Sequence, residues 1–183
     1  MSRIIHTYKK FLSSHPFLVQ TVQTGMLMGV GDVIAQRIVE KKTHKEHDYK
    51  RTMTFLGLGT CLVGPALVTW YKTLSVVVTG TGKSVVLKKV ALDQLCFSPT
   101  FIGCFLCALG FAQGNDFEKI QNDISKNYTD ILLTNYQIWP LVQLGNFYFT
   151  PLQYQTLVVQ GVAICWNTYI SWKTQSQPDS IEN

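Results

Sequence analysis

Charged residues are absent from three long stretches of the chain: 20 residues at 52–71, 22 at 94–115 and 42 at 131–172. A fourth apolar stretch, 17–39, carries only Asp32 and Arg37. A helix needs about 20 mainly apolar residues to cross the hydrocarbon of a bilayer. Irregular backbone finds no hydrogen-bond partners in lipid, so such stretches are helical. The pattern predicts an all-α integral membrane helical bundle with about four transmembrane helices, at 17–38, 53–71, 91–113 and 152–172. The 42-residue stretch is too long for one crossing. An interior proline removes a helical hydrogen bond, so a break is expected near Pro140, Gly145 and Pro151. The piece at 131–150 then reads as an amphipathic or partly inserted segment. A single membrane domain covers 1–175, and 176–183 is a polar tail.

Composition agrees with this pattern. Charged residues make up 15 % of the 183 residues, against 46 % hydrophobic; soluble domains carry about 25 % charged residues. The net charge of +5 is spread in short groups between apolar runs. A nucleic-acid reader clusters its basic residues on one face, so no direct nucleic-acid binding is expected.

The first residues are expected to form a short basic amphipathic helix. Ile4, Ile5, Tyr8, Phe11 and Leu12 share a face, while Arg3, Lys9 and Lys10 lie off it. That is the pattern of mitochondrial targeting or interfacial anchoring.

One stretch invites a different reading. VVVTGTGKSVV, at 76–86, holds the Gly-Lys-Ser end of a phosphate-binding loop. The first glycine of that motif would stand at Val77, and no alternating strand–helix pattern surrounds the segment. A glycine turn beside Lys83, Lys88 and Lys89 at headgroup level is the better reading.

Polar residues inside the spans carry the functional signal. Thr21, Gly25, Met28, Asp32 and Gln36 are spaced 4, 3, 4, 4, which places them on one helical face. Thr156, Gln160, Ala163, Asn167 and Ser171 make a second such stripe. Two stripes of this kind line a hydrated path or hold helices together across a dry interface. Asp32 and Asp93 are ionisable groups at membrane depth, with Arg37, and Lys88 or Lys89, as the neighbours expected to pair with them. Gly25 with Gly29, and Gly110 with Gly114, have the small-x-x-x-small spacing of close helix packing.

Cys104 and Cys107 form a C-x-x-C pair, but mid-span among Phe101, Phe105 and Leu106, where the thiolate is disfavoured. Packing cysteines are expected, with Cys96, Cys104 and Cys107 on one side of the helix as an alternative oxidation sensor. Zinc needs four ligands, and the four histidines all precede Lys50. No metal, no cofactor and no catalytic set is expected.

HPF at 15–17, GD at 31–32, GPALVTWY at 64–71, DQLCFSP at 93–99, WPLVQLGNFYFTP at 139–151 and WNTYISW at 166–172 follow one another over nearly the whole chain. In order and spacing the chain resembles the Mpv-seventeen / twenty-two-kilodalton peroxisomal membrane protein family. The resemblance implies a four-span protein of the mitochondrial inner membrane, with the peroxisomal membrane as the alternative. It implies non-selective channel activity for small hydrophilic solutes, not an enzyme. It also implies links to membrane potential, reactive oxygen handling and mitochondrial DNA maintenance through nucleotide pools. Carried onto this chain, it adds Gln94, Gln143 and Asn146 to Asp32, Gln36, Asp93, Gln160 and Asn167 as pore or polar-stripe residues. It also singles out Trp139 and Trp166, which with Trp172 suit interfacial anchors. Family members often carry Arg where this chain has Gln155. The expected partners are the lipid bilayer, the solutes and other copies of the chain. The alternative function is a scaffolding membrane protein that organises a partner complex without conducting.

Overall fold

The computed structural model describes residues 10–11, 13–80, 82–149 and 152–175, the side chains of 146–148, 152–157 and 160 excepted. The predicted N-terminal amphipathic helix lies mostly outside them, as does the polar tail. Among the described residues the regular elements are all helical. Helix α1 is Pro16–Ile34 and continues as a wide π turn, Ala35–Val39. Helix α2, Tyr49–Leu58, runs through a π turn at Gly59–Val63 into α3, Gly64–Val77. Helix α4, Lys83–Leu92, runs through a π turn at Asp93–Phe97 into α5, Ser98–Gln113. Helix α6 is Phe117–Phe149 and α7 is Leu152–Gln175.

Three of these rods are long and apolar enough to cross a membrane: Pro16–Val39, Tyr49–Val77 and Lys83–Gln113. Helix α7, with 24 residues, covers the fourth predicted span. The expected break at Pro140 is absent, because α6 runs unbroken for 33 residues with Pro140 inside it. Membrane helices tolerate an interior proline where neighbours and local adjustment re-satisfy the freed backbone. Residues 131–149 are therefore the apolar half of a long helix whose first half carries Glu118, Lys119, Asp123, Lys126 and Asp130.

Two of the π turns immediately precede a proline, Pro65 and Pro99, in the first turn of the next helix. A proline in an uninterrupted α-helix clashes with the carbonyl four residues back. Widening that turn gives the ring room and keeps the rod continuous. The segment at 76–86 is a turn between helices: Gly80 and Gly82 both stand at φ 108, and a helix starts at Lys83. Only glycine adopts such backbone cheaply.

The rods alternate in direction. A Cβ on Gly64 would meet Thr21, one on Gly25 would meet Thr60, and Leu56 lies over Gly29. Each step of four along α1 is matched by a step of four back along α2–α3. Gly110 lies against Ile120, and Trp139 against Trp166, so α5, α6 and α7 are also antiparallel neighbours. Gly31 meets Asn167 at backbone distance, which seats α1 on α7. Of the two predicted glycine pairs, Gly25/Gly29 packs helices. Gly114 does not: it caps α5 in the left-handed conformation, at φ 82, with nothing within reach of its missing Cβ.

Met28, Phe55, Ile102, Phe105, Leu106, Leu109, Ile131 and Ile170 form the buried core. They make an apolar layer across all the rods. One end of the bundle, where α1 ends and α2 begins, is polar and closed. The other half, between this layer and the ends of α3 and α6, holds a cavity.

Candidate functional site: a closed ion-pair network and a polar-edged cavity

The closed end is built around Asp32, whose side chain is fully buried. Its Oδ1 accepts from Arg51 Nε at 2.6 Å and from Ser171 Oγ at 2.5 Å. Its Oδ2 accepts from Gln36 Nε2 at 2.8 Å and from Thr52 Oγ1 at 2.5 Å. A carboxylate offers about four acceptor sites, and all are used. Arg51 also donates from Nη1 and Nη2 to the two Glu40 oxygens, at 3.0 and 2.6 Å, and from Nη2 to Ser171 Oγ at 2.9 Å. This is the planar bidentate pairing for which arginine is suited. The Gln36 amide clamps the Asp48 peptide: its Oε1 accepts from Asp48 N at 2.7 Å and its Nε2 donates to Asp48 O at 3.0 Å. Asp48 in turn caps α2 by accepting from Arg51 N. One network thus ties the end of α1, the connection after it, the start of α2 and the last turns of α7.

Glu40 stands outside the spans at the edge of this network. Burial alone would raise its pKa. Hydrogen bonds from Arg51 and Lys42, with the charges of both, outweigh burial and hold it below its ordinary value of 4.5.

Asp32 is therefore paired with Arg51, not with the expected Arg37. Arg37 turns away, donating to the Lys42 carbonyl and contacting His44. Asp93 likewise takes neither Lys88 nor Lys89 as a hydrogen-bonded partner. Its Oδ1 accepts from Trp70 Nε1 and its Oδ2 from Gln94 Nε2, both at 2.8 Å. The reason is direction: helix α4 ends at Leu92 and a π turn begins at Asp93, aiming the carboxylate across to α3. The Trp70 ring stacks on Phe97 at 4.9 Å, and Phe97 on Phe101 at 4.9 Å, which fixes the indole N–H toward Asp93.

The cavity has a volume of about 270 Å³ and lies between all the rods. Gln20 and Thr24 of α1, Asp93, Gln94, Gln143 and Asn167 face it, with Asn135 on α6. A second space of about 190 Å³, edged by Lys89, shares Tyr71, Asp93 and Gln143 with the first. The predicted polar residues thus fall into two groups. Asp32 and Gln36 belong to the closed network; Asp93, Gln94, Gln143 and Asn167 border the cavity. The Met28–Phe55–Ile131–Ile170 layer separates the groups: Met28, Phe55 and Ile170 each lie between them along their own helices, and Ile131 of α6 packs in the same core. Asn146, Gln160 and Gln155 have side chains outside the described residues.

Trp139 and Trp166, the expected interfacial anchors, face each other edge-to-face at 6.0 Å and line the cavity. Trp172 is 38 % exposed. All five cysteines are free; Cys61, Cys96, Cys104 and Cys165 are exposed on the outside of the bundle, and Cys107 is half-buried. Among the described residues no cluster of His, Cys, Asp or Glu could hold a metal ion.

Arg51 and Glu40 were invisible to span-based reading, because both sit in the basic connection that precedes a charge-free stretch. Asn135 lay in the apolar half of α6 with no spacing to mark it. Ser171 was legible, as the last member of the second stripe.

The Mpv17 / PMP22 family profile matches residues 110–171. The chain is 47 % identical over 173 residues to the mitochondrial inner membrane protein Mpv17 of Xenopus laevis, covering 94 % of this chain and 98 % of that protein. It is 46 % identical to the Homo sapiens protein of the same name, over 91 % of this chain and 94 % of that protein. Protein sym-1 of Neurospora crassa is 41 % identical, over 90 % and 95 % respectively. No solved structure matches the chain. Identity at this level along almost the full length of both chains places this helical bundle in the Mpv17 / PMP22 family.

Proposed function

We propose that this protein, which resides in the mitochondrial inner membrane, is a passage for small hydrophilic solutes. It has no chemistry of its own, and the described conformation is its closed state. One observation carries the reading: a cavity with polar residues from every rod ends on an apolar layer backed by a buried ion-pair network. Apolar constrictions block conduction by excluding water. Opening would hydrate the Met28–Phe55–Ile131–Ile170 layer and require α7 to part from α1 near Asp32 and Ser171. Through such a passage the protein would contribute to membrane-potential control, reactive oxygen handling and the nucleotide pools that maintain mitochondrial DNA.

The test is single-channel conductance of purified protein in planar bilayers, for wild type, Met28→Asn and Asp93→Asn. The passage reading expects discrete steps in wild type, longer openings in Met28→Asn, and altered ion preference in Asp93→Asn. Protein that is folded and inserted yet silent in all three forms would favour the scaffold. The fully satisfied Asp32 network, a rigid joint between rods, suits that second reading.

A further inference from the structure

The central cavity is walled by aromatic rings and offers donors without partners. The stack Trp70–Phe97–Phe101, with successive rings 4.9 Å apart and 10° from parallel, ends on Phe101. Phe97 and Phe101 both line the cavity, and Trp139 with Trp166 forms a second aromatic wall. Two amides stand beside that second wall. Thr134 and Tyr169 join their hydroxyls at 3.1 Å, which sets Asn135 of α6 level with Asn167 of α7. Asn135 is 5 % exposed; its Oδ1 is enclosed by protein, so Nδ2 is the end of the amide that reaches the cavity, and it has no acceptor there. The Asn167 amide, half-buried on the same space, has no partner among the described residues either. On α5, Ser98 is 8 % exposed, and its hydroxyl is a third unpaired donor on the cavity. Buried donors without acceptors are costly. Charge, by contrast, is already answered. Asp93 is the one charged group among the described lining residues, and both its oxygens accept, from Trp70 and Gln94. The Lys89 ammonium borders the adjoining space that shares Asp93. The open donors are therefore left for a neutral acceptor.

Volume limits the size of that molecule. Drug-sized ligands fill pockets of about 300–1,000 Å³. At about 270 Å³ this cavity suits a single ring system, not a two-chain lipid. Flat rings pack well against aromatic walls, face-offset or edge-on. The donors stand on α5 and on α6 with α7, so acceptors are wanted at two places on the ring. We infer that the cavity is a binding site for a neutral, apolar quinone. Its ring lies between Phe97 with Phe101 and Trp139 with Trp166. One carbonyl oxygen accepts from Asn135 and Asn167, and the other from Ser98. A carbonyl oxygen accepts and never donates, which matches N–H groups and a hydroxyl. The corresponding hydrocarbon has the shape but no acceptor. A carboxylate brings a charge that Asp93 repels, and the single ester carbonyl of an acyl chain answers only one of the two donor groups.

The site does not rest on conduction. Quinone binding by a silent protein keeps it and removes the passage; conductance without quinone binding does the reverse. The experiment is titration of the full chain in liposomes with duroquinone, read by quenching of tryptophan emission. All four ring positions of duroquinone carry methyl groups, which closes them to the exposed cysteines. Quinone held beside Trp139 and Trp166 gives quenching that saturates, whereas quinone merely dissolved in lipid quenches in proportion to its concentration. The expected result is a saturating curve, reversed by durene, the same ring without carbonyls, with an affinity at least about fivefold weaker, the size of one neutral hydrogen bond. Asn135→Leu should weaken duroquinone by about the same fivefold and leave durene no weaker. If Asn135→Leu does not fold, Asn167→Ala carries the comparison, since it keeps the Cβ on which Gly31 packs. Quenching that rises linearly, equal affinity for durene, or duroquinone affinity indifferent to both residue 135 and residue 167 would each overturn the site.

Discussion

Arg51 Nε stands 2.6 Å from Asp32 Oδ1, with the two side chains 5 and 0 % exposed. This ion pair joins two antiparallel rods at the point where the connection between them folds back. Removing charges from water at such a site is expensive, and the pair is stable only because further hydrogen bonds fill both groups. Its value therefore lies in what happens when one member is lost.

Arg51→Met should destabilise the protein by about 3–5 kcal/mol, since Asp32 would remain buried and uncompensated. Asp32→Asn with Arg51→Met should cost less than Arg51→Met alone, because no naked charge is left. Arg51→Lys should fall between, keeping charge but losing the bidentate hold on Glu40. Thermal melts in one detergent, run side by side, check the order. A double variant as unstable as Arg51→Met alone would mean that packing, not charge, dominates.

Ser171 both donates to Asp32 and accepts from Arg51. Ser171→Ala leaves one acceptor and one donor short in a fully buried place, at a cost of about 1–3 kcal/mol. The loss should shrink in the Asp32→Asn, Arg51→Met background, where the arginine donor is gone and only a neutral amide oxygen remains for the hydroxyl, a coupling that a double-mutant cycle measures.

Gly31→Ala places a methyl 2.5 Å from Asn167 Cβ and 2.9 Å from the Asn167 carbonyl carbon. Backbone must move, so a loss of about 1–3 kcal/mol is expected. Gly57→Ala, with nothing within 4 Å of the new methyl, is the control and should be neutral or slightly stabilising.

The pH dependence follows from Glu40. Its pKa in the folded protein lies below the ordinary 4.5. A carboxylate shifted in that direction gives stability that is complete above 4.5 and lost as pH falls through the lower folded value. The difference in melting temperature between wild type and Glu40→Gln should be constant from pH 7 to about 5 and shrink below 4.5. A difference that shrinks instead between pH 8 and 6 would assign the effect to another group.

How much of this was legible beforehand depended on distance along the chain. The stripe Thr21, Gly25, Met28, Asp32, Gln36 is buried in its entirety, because periodicity on one helix is a local property. The partner of Asp32 was not legible. Arg51 is 19 residues away, and any of several cations in that connection could have been drawn there. Asp93 is held by Trp70, 23 residues back, through an indole N–H whose aim depends on a ring stack. Residues 131–149 were readable as partly inserted, but not as the continuation of a charged helix, since Pro140 looks like a stop in sequence and is only one missing hydrogen bond in the fold.

The π turn at Gly59–Val63 sets the phase of the second rod. Thr52, Leu56, Thr60 and Gly64 all meet α1, at intervals of four. In a pure α-helix each step of four overruns a full turn by about 40°, so three steps would swing Gly64 far round the rod. The wide turn absorbs the surplus residue and brings Gly64 back onto Thr21. It is a register correction written into the backbone. Deleting a single residue there would leave every side chain in the rod unchanged in kind, yet rotate one half against the other by about 100°. The seam with α1 would then match on one side of the turn only.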